Sequence, residues 1–115
     1  MTYKTPNFLH DIIDALAANS ENPAYVEAVI ITMPLADYLI NSDGREVAGD
    51  KLVGKRLTWE KAAEVLNYEY DTGFGAQDCH SVLVYTRHNI YYVHEYDGST
   101  NIKYMPRNPT HWIYD

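Results

Sequence analysis

The sequence predicts an α+β fold in which two or three helices pack on one face of a three- or four-stranded antiparallel sheet. Apolar residues recur at helical spacing over residues 5–20 and 58–68, and they alternate with other residues over 81–105. The chain has 115 residues, of which 46% are hydrophobic and 22% are charged, as is usual for a globular protein. We therefore expect a single domain over residues 1–115.

The first helix is expected to begin at Thr5-Pro6, because Thr is a good N-cap and Pro suits the first helical position. The apolar residues at helical spacing are Phe8, Leu9, Ile12, Ile13 and Leu16. The helix should end near Asn19-Ser20, before a turn at Asn22-Pro23.

Residues 25–33 are rich in β-branched side chains, which favours a buried strand, although the pattern is also compatible with a helix. Pro34 can start a short helix that runs to Ile40. The following segment, NSDGREVAGDKLVGK, contains three glycines and most of a positively charged block, so we expect a loop or a flexible hairpin there.

The second helix, TWEKAAEVLNY, is predicted to be capped by Thr58. Its apolar residues lie on one side: Trp59, Ala62, Ala63 and Leu66. After it, SVLVYT, NIYYVHEY and NIKYM alternate with period two and should form a three-stranded meander. The turns are expected at residues 87–89, where the register stays open, and at Asp97-Gly98, while Pro106 and Pro109 end the last strand.

Charge and cysteine content limit the class of protein. The net charge of −7 disfavours direct nucleic-acid binding, which depends on Lys and Arg at phosphates, and it favours a partner with a basic surface. Cys79 is the only cysteine, so an intrachain disulfide is impossible and a reducing cytoplasm is expected. The longest apolar segment, AVIITMPLA, is too short to span a bilayer, and the N-terminus lacks a signal-peptide pattern.

The tripeptide Glu-Tyr-Asp occurs twice, at residues 69–71 and 95–97, each time ahead of a glycine. Both aspartates are typical turn residues, but turn formation does not explain the Glu-Tyr pairs. If the two turns lie side by side at one end of the sheet, these residues form an acidic aromatic patch. The candidate binding residues are Glu69, Tyr70, Asp71, Gln77, His94, Glu95, Tyr96 and Asp97.

Tyrosine is unusually frequent, with eleven in the chain. Five of them alternate along the meander, so both faces of the sheet should carry tyrosine: Tyr85, Tyr91, Tyr92, Tyr96 and Tyr104. The rings on the face away from the helices are suited to the centre of a protein interface, or they only stabilise the sheet by cross-strand pairing.

A second hypothesis is a small-ligand or nucleotide pocket, or a small hydrolase, around the Gly73/Gly75 loop and His80/His94. The predicted hairpin brings the two histidines close together. The loop lacks the lysine of phosphate-binding loops, and no nucleophile motif is present, so a non-enzymatic role is favoured. Cys79 and His80 should point to opposite faces of a strand, and we expect no metal or other cofactor.

The second half of the chain resembles a loose group of small, mostly uncharacterised bacteriophage and prophage proteins. The resemblance lies in the segment YDTGFGAQ, which is followed by two predicted strands and then by EYDGS. The similarity extends from about Leu57 to Pro109. The resemblance implies an accessory protein or an inhibitor of host defences, such as a CRISPR complex or a restriction enzyme. Together with the charge, it suggests a protein that binds a basic host protein in the bacterial cytoplasm; a homodimer is also compatible with the sequence.

Overall fold

The computed structural model describes residues 6–34, 49–73, 78–96 and 99–108. The elements of this part of the chain are α1 (Phe8–Ala18), a short 3₁₀ helix (Pro23–Tyr25), β1 (Val26–Met33), β2 (Arg56–Leu57), α2 (Trp59–Leu66), β3 (Ser81–Thr86), β4 (Asn89–Tyr96) and β5 (Ser99–Pro106). The α+β class is confirmed. The predicted number of strands was too low, because β2 has only two residues and is too short to show a period.

The strands form one antiparallel sheet in the order β2-β1-β3-β4-β5. The predicted meander is β3-β4-β5, and residues 25–33 contain a strand rather than a helix. Leu83 pairs with Tyr92, which sets the register of the first hairpin. Its turn is held by the Thr86 hydroxyl, which accepts from the backbone N–H of Asn89 at 3.0 Å. The predicted short helix to Ile40 lies outside the described residues.

The start of α1 differs from the prediction. Asn7, not Thr5, is the N-cap, and its side chain accepts from the backbone N–H of His10 at 3.0 Å. Pro6 lies before the helix, where its carbonyl accepts from the backbone N–H of Tyr70 at 3.0 Å. This backbone pairing with a distant segment fixes where the helix can begin, whereas Asn and Thr are similarly able to cap it.

Replacing Asn7 by alanine is expected to lower the free energy of unfolding by about 1 kcal/mol, because the first turn of α1 loses its side-chain acceptor. Urea denaturation measures this difference. His10→Ala is the matched control, since His10 is exposed on the same helix and caps nothing. Equal stability of the two variants would show that the Asn7 cap contributes nothing.

Both helices pack on the same face of the sheet, which we call the helix side. A row of directly paired residues crosses all five strands on this side: Leu57, Val29, Val84, Tyr91 and Tyr104. The first four are buried, and they join Phe8, Ile12 and Leu66 from the helices in the core. Successive residues of a strand point to opposite faces, so the neighbouring row lies on the other side, which we call the outer face: Arg56, Ile30, Leu83, Tyr92 and Lys103.

Candidate functional site

The described residues of the two Glu-Tyr-Asp segments flank the start of β5 at one end of the sheet. The backbone N–H of Thr100 donates to the carbonyl of Thr72 at 2.8 Å, and Thr100 is the direct cross-strand partner of Glu95. The start of β5 therefore lies between the segment at residues 69–71 and the end of β4. Asp97, Gln77 and Gly75 are outside the described residues.

The two tyrosines of these segments have opposite environments. Tyr70 is 3% exposed; its hydroxyl donates to Asp11 Oδ2 at 2.6 Å, and its ring lies 5.3 Å from that of Phe8. Burial, and then the hydrogen bond and charge of Asp11, raise the pKa of the Tyr70 phenol. Tyr96 is 74% exposed. Of the two repeated tyrosines, only Tyr96 can therefore present its ring to a partner.

The carboxylates near this end form a set that we call the acidic edge: Asp11, Asp14, Glu69, Asp71 and Glu95. Asp11 and Asp14, from α1, line a cleft of about 300 Å³ together with Tyr70 and Thr100. Glu69 and Glu95 are exposed on the adjoining segments. The α1 residues were not among the sequence-based candidates, because only the packing of α1 against β5 brings them to this edge.

Two carboxylates near the turn after Tyr70 accept hydrogen bonds from its backbone N–H groups. Asp71 Oδ1 accepts from the backbone N–H of Gly73 at 2.8 Å, and the backbone N–H of Asp71 donates to Asp78 Oδ2 at 2.9 Å. A phosphate would need such backbone N–H groups as donors. Two of them are already bonded, so this geometry does not favour an anion site at Gly73.

His80 and His94 lie on opposite sides of the sheet. His80 is fully buried on the helix side, in line with Val82 and Val84, whereas His94 lines a groove on the outer face. The shared pocket of the second hypothesis is therefore not formed by these two rings. Cys79 is also buried. No three His, Cys, Asp or Glu side chains within the described ranges are grouped so as to hold a metal ion.

The imidazole of His80 is bonded at both nitrogens. Nε2 lies 3.0 Å from Asp50 Oδ1, and Nδ1 lies 2.7 Å from the Tyr68 hydroxyl. Since an ionised carboxylate only accepts, Nε2 of a neutral ring donates to Asp50, and Nδ1 accepts from Tyr68. The His80 ring has no exposed surface and so cannot touch a substrate. It connects β3 to Asp50 and to Tyr68, which follows α2. Asp50 and Tyr68 were missed because they are distant in sequence from His80.

An open groove of about 510 Å³ lies on the outer face and is lined by His94, Tyr96, Ser99, Asn101 and Lys103. The rings of His94 and Tyr96 are stacked, with centroids 6.4 Å apart and planes 13° from parallel. His94 Nδ1 is buried and has no hydrogen-bond partner among the described residues. The β5 residues were missed in the sequence, although the antiparallel register across the Asp97-Gly98 turn predicts that they face His94 and Tyr96.

Comparisons with known proteins give no further assignment. No protein-family model, no curated protein and no solved structure matches the chain. Neither described helix is long and apolar enough to cross a membrane. Functional inference therefore depends on the two surfaces at this end of the sheet: the acidic edge and the outer-face groove.

Proposed function

We propose that this is a non-enzymatic accessory protein that binds a basic surface of another protein through its acidic edge. The observation that carries the proposal is the hydrogen bond between Thr100 and Thr72. Because of it, the carboxylates that follow α2 and Glu95 at the end of β4 flank the start of β5. Tyr96 follows Glu95 directly, and its exposed ring projects from the outer face at the same end of the sheet. The resemblance to phage proteins suggests a host protein as the partner and inhibition as the outcome.

The arrangement is suited to protein recognition for two physical reasons. Carboxylates at the rim of an interface steer a basic partner and set its orientation, although exposed charges contribute little affinity singly. An aromatic ring beside them offers a large apolar area at a small entropic cost. Glu69, Asp71 and Glu95 of the acidic edge are exposed, and the exposed ring of Tyr96 projects from the outer face next to Glu95, so both elements occur at this end of the sheet.

Reversing the charge at two exposed positions, Glu69→Lys with Glu95→Lys, is expected to weaken partner binding at least about tenfold, mainly through slower association. Affinity capture from a bacterial lysate measures this with immobilised wild-type and variant protein. Capture by the wild type should also fall as salt is raised from about 0.1 to 1 M, since the Debye length shortens from about 10 to 3 Å.

The matched control is Glu60→Lys with Glu64→Lys. It changes the net charge equally, but it lies on the exposed side of α2, away from the acidic edge. A protein that is retained by the wild type and the control, but not by the edge variant, supports the proposal. If the folded edge variant retains the same proteins as the wild type, the acidic edge is not the binding surface.

A further inference from the structure

The described strand residues of the outer face carry a net positive charge, although the protein as a whole is acidic. The central cross-strand row of this face ends in two exposed cations, Arg56 and Lys103, and neither forms an ion pair with another described residue. Glu27 is the only carboxylate among the described strand residues of this face, and it is bonded to Arg107 at 2.5 Å. Among these residues Arg56 and Lys103 are thus left without a neutralising carboxylate, an arrangement that favours anions.

Aromatic rings follow β4 along the same face. Tyr92, His94 and Tyr96 alternate with residues of the helix side, so all three project outward. The rings of His94 and Tyr96 are stacked in nearly parallel planes and form what we call the ring platform, in which Tyr96 is the more exposed ring. A second planar ring can stack on such a platform, and stacking between an aromatic side chain and a nucleobase tolerates any base.

Polar groups of the groove complement this platform. The ammonium group of Lys103 is suited to a phosphate, and the side chains of Ser99 and Asn101 can both donate and accept hydrogen bonds. His94 Nδ1 is a buried polar atom without a hydrogen-bond partner in the described part of the chain, a state that normally costs free energy. A volume of about 510 Å³ is within the usual range for small-ligand sites.

We propose that the outer-face groove binds a nucleotide unit, with the base stacked on Tyr96 and the phosphate at Lys103. The unit is either a free nucleotide or part of a single strand, and both sources offer the same chemistry. An acidic peptide would use the cation but not the ring platform, so it fits the groove less well. This proposal departs from the expectation based on net charge, because that expectation ignored how the charge is distributed over the two faces.

Two probes separate the sources: adenosine monophosphate, and a single-stranded oligothymidine of about eight nucleotides, which is close to the site size of small single-strand-binding folds. Binding to the full chain is measured at low salt. Calorimetry is used for adenosine monophosphate, and fluorescence anisotropy is used for the oligonucleotide. Tyr96→Ala and Lys103→Gln should each weaken binding about tenfold. Both residues are exposed, so the fold should survive, and circular dichroism checks this.

The matched controls are Tyr25→Ala and Lys61→Gln, which remove an exposed ring and an exposed ammonium group away from the outer-face groove. Both should bind like the wild type. Binding of the monophosphate supports a free nucleotide, and binding of the oligonucleotide alone supports a single strand. The proposal is overturned if neither probe binds at millimolar concentration, if the groove variants bind as well as the controls, or if only a polyglutamate peptide binds.

Discussion

Replacing Glu21 by glutamine is expected to lower the free energy of unfolding by about 3 kcal/mol, one of the largest effects of any near-isosteric change in this chain. Glu21 is 6% exposed. Its Oε1 accepts from the Tyr91 hydroxyl at 2.5 Å, from the Asn89 amide at 3.1 Å and from the Thr86 hydroxyl at 3.1 Å. It thereby connects the end of α1 to the β3-β4 turn. Glutamine retains the shape but loses the charge-assisted hydrogen bonds.

The loss of stability caused by Glu21→Gln should be smaller at acidic pH than at neutral pH. Burial alone would raise the pKa of Glu21, but the bonds from Tyr91, Asn89 and Thr86 and the nearby His88 outweigh it and hold the pKa below the ordinary 4.5. Because the pKa of Glu21 is lower in the folded state than in the unfolded state, its ionised carboxylate stabilises the fold at pH values above the unfolded-state pKa. This stabilisation is lost as the pH falls through the folded-state pKa.

Urea denaturation of the wild type and Glu21→Gln at several pH values tests this expectation. The difference in stability should be constant above about pH 5 and should shrink in more acidic solution. Glu64→Gln is the control, because Glu64 is exposed and its ion pair with Lys61 is long, at 3.8 Å. This substitution should change the free energy of unfolding by less than about 0.5 kcal/mol. A difference that persists unchanged at strongly acidic pH would show that the Glu21 charge is not the cause.

Gly49→Ala is expected to destabilise the protein by a similar amount, about 3 kcal/mol, through overpacking and lost hydrogen bonds. A Cβ at this position would lie 2.3 Å from Nε2 and 2.5 Å from Cε1 of His80. His80 is fully buried, so its ring has little room to move away. Any displacement would break its bonds to Asp50 and Tyr68.

Thermal unfolding and the imidazole proton signals of His80 measure the consequence of the Gly49 substitution. The transition should occur well below that of the wild type, and the ring signals should shift as the hydrogen bonds change. Gly73→Ala is the matched control, because a Cβ there meets no atom within 4 Å. If the two alanine variants unfold at the same temperature, the contact between residue 49 and His80 is unimportant.

Local signals in the sequence were sufficient for α2 and the meander. Thr58 accepts from the backbone N–H of Lys61 at 3.1 Å, as a predicted N-cap should, and the apolar spacing after it is regular. The beginning of α1 depends instead on tertiary structure, since Asn7 forms a β-bridge with Glu69. A local pattern contains no information about a pairing partner so far along the chain.

The candidate site could be predicted only in part, for a related reason. Residues 69–71 and 95–97 are identical in sequence, yet the first tyrosine follows α2 and packs on Phe8, while the second lies at the end of β4. Their burial is decided by these neighbours and not by the motif. The separation of His80 from His94 could not be derived from strand alternation alone, because the register of the hairpin at residues 87–89 stayed open. The pairing of residues 83 and 92 in the structure puts the two histidines on opposite faces.

The position of β1 in the sheet makes the two halves of the chain depend on each other. The segment from α2 to the end of β5 includes the meander but not β1, the strand that pairs with β3. A chain with only that segment would leave the edge of β3 open and would lack Val29 and Ile31 from the core. The segment is therefore not a self-sufficient folding unit, because the strand that covers the edge of β3 and the helix that completes the core both come from the N-terminal half of the chain.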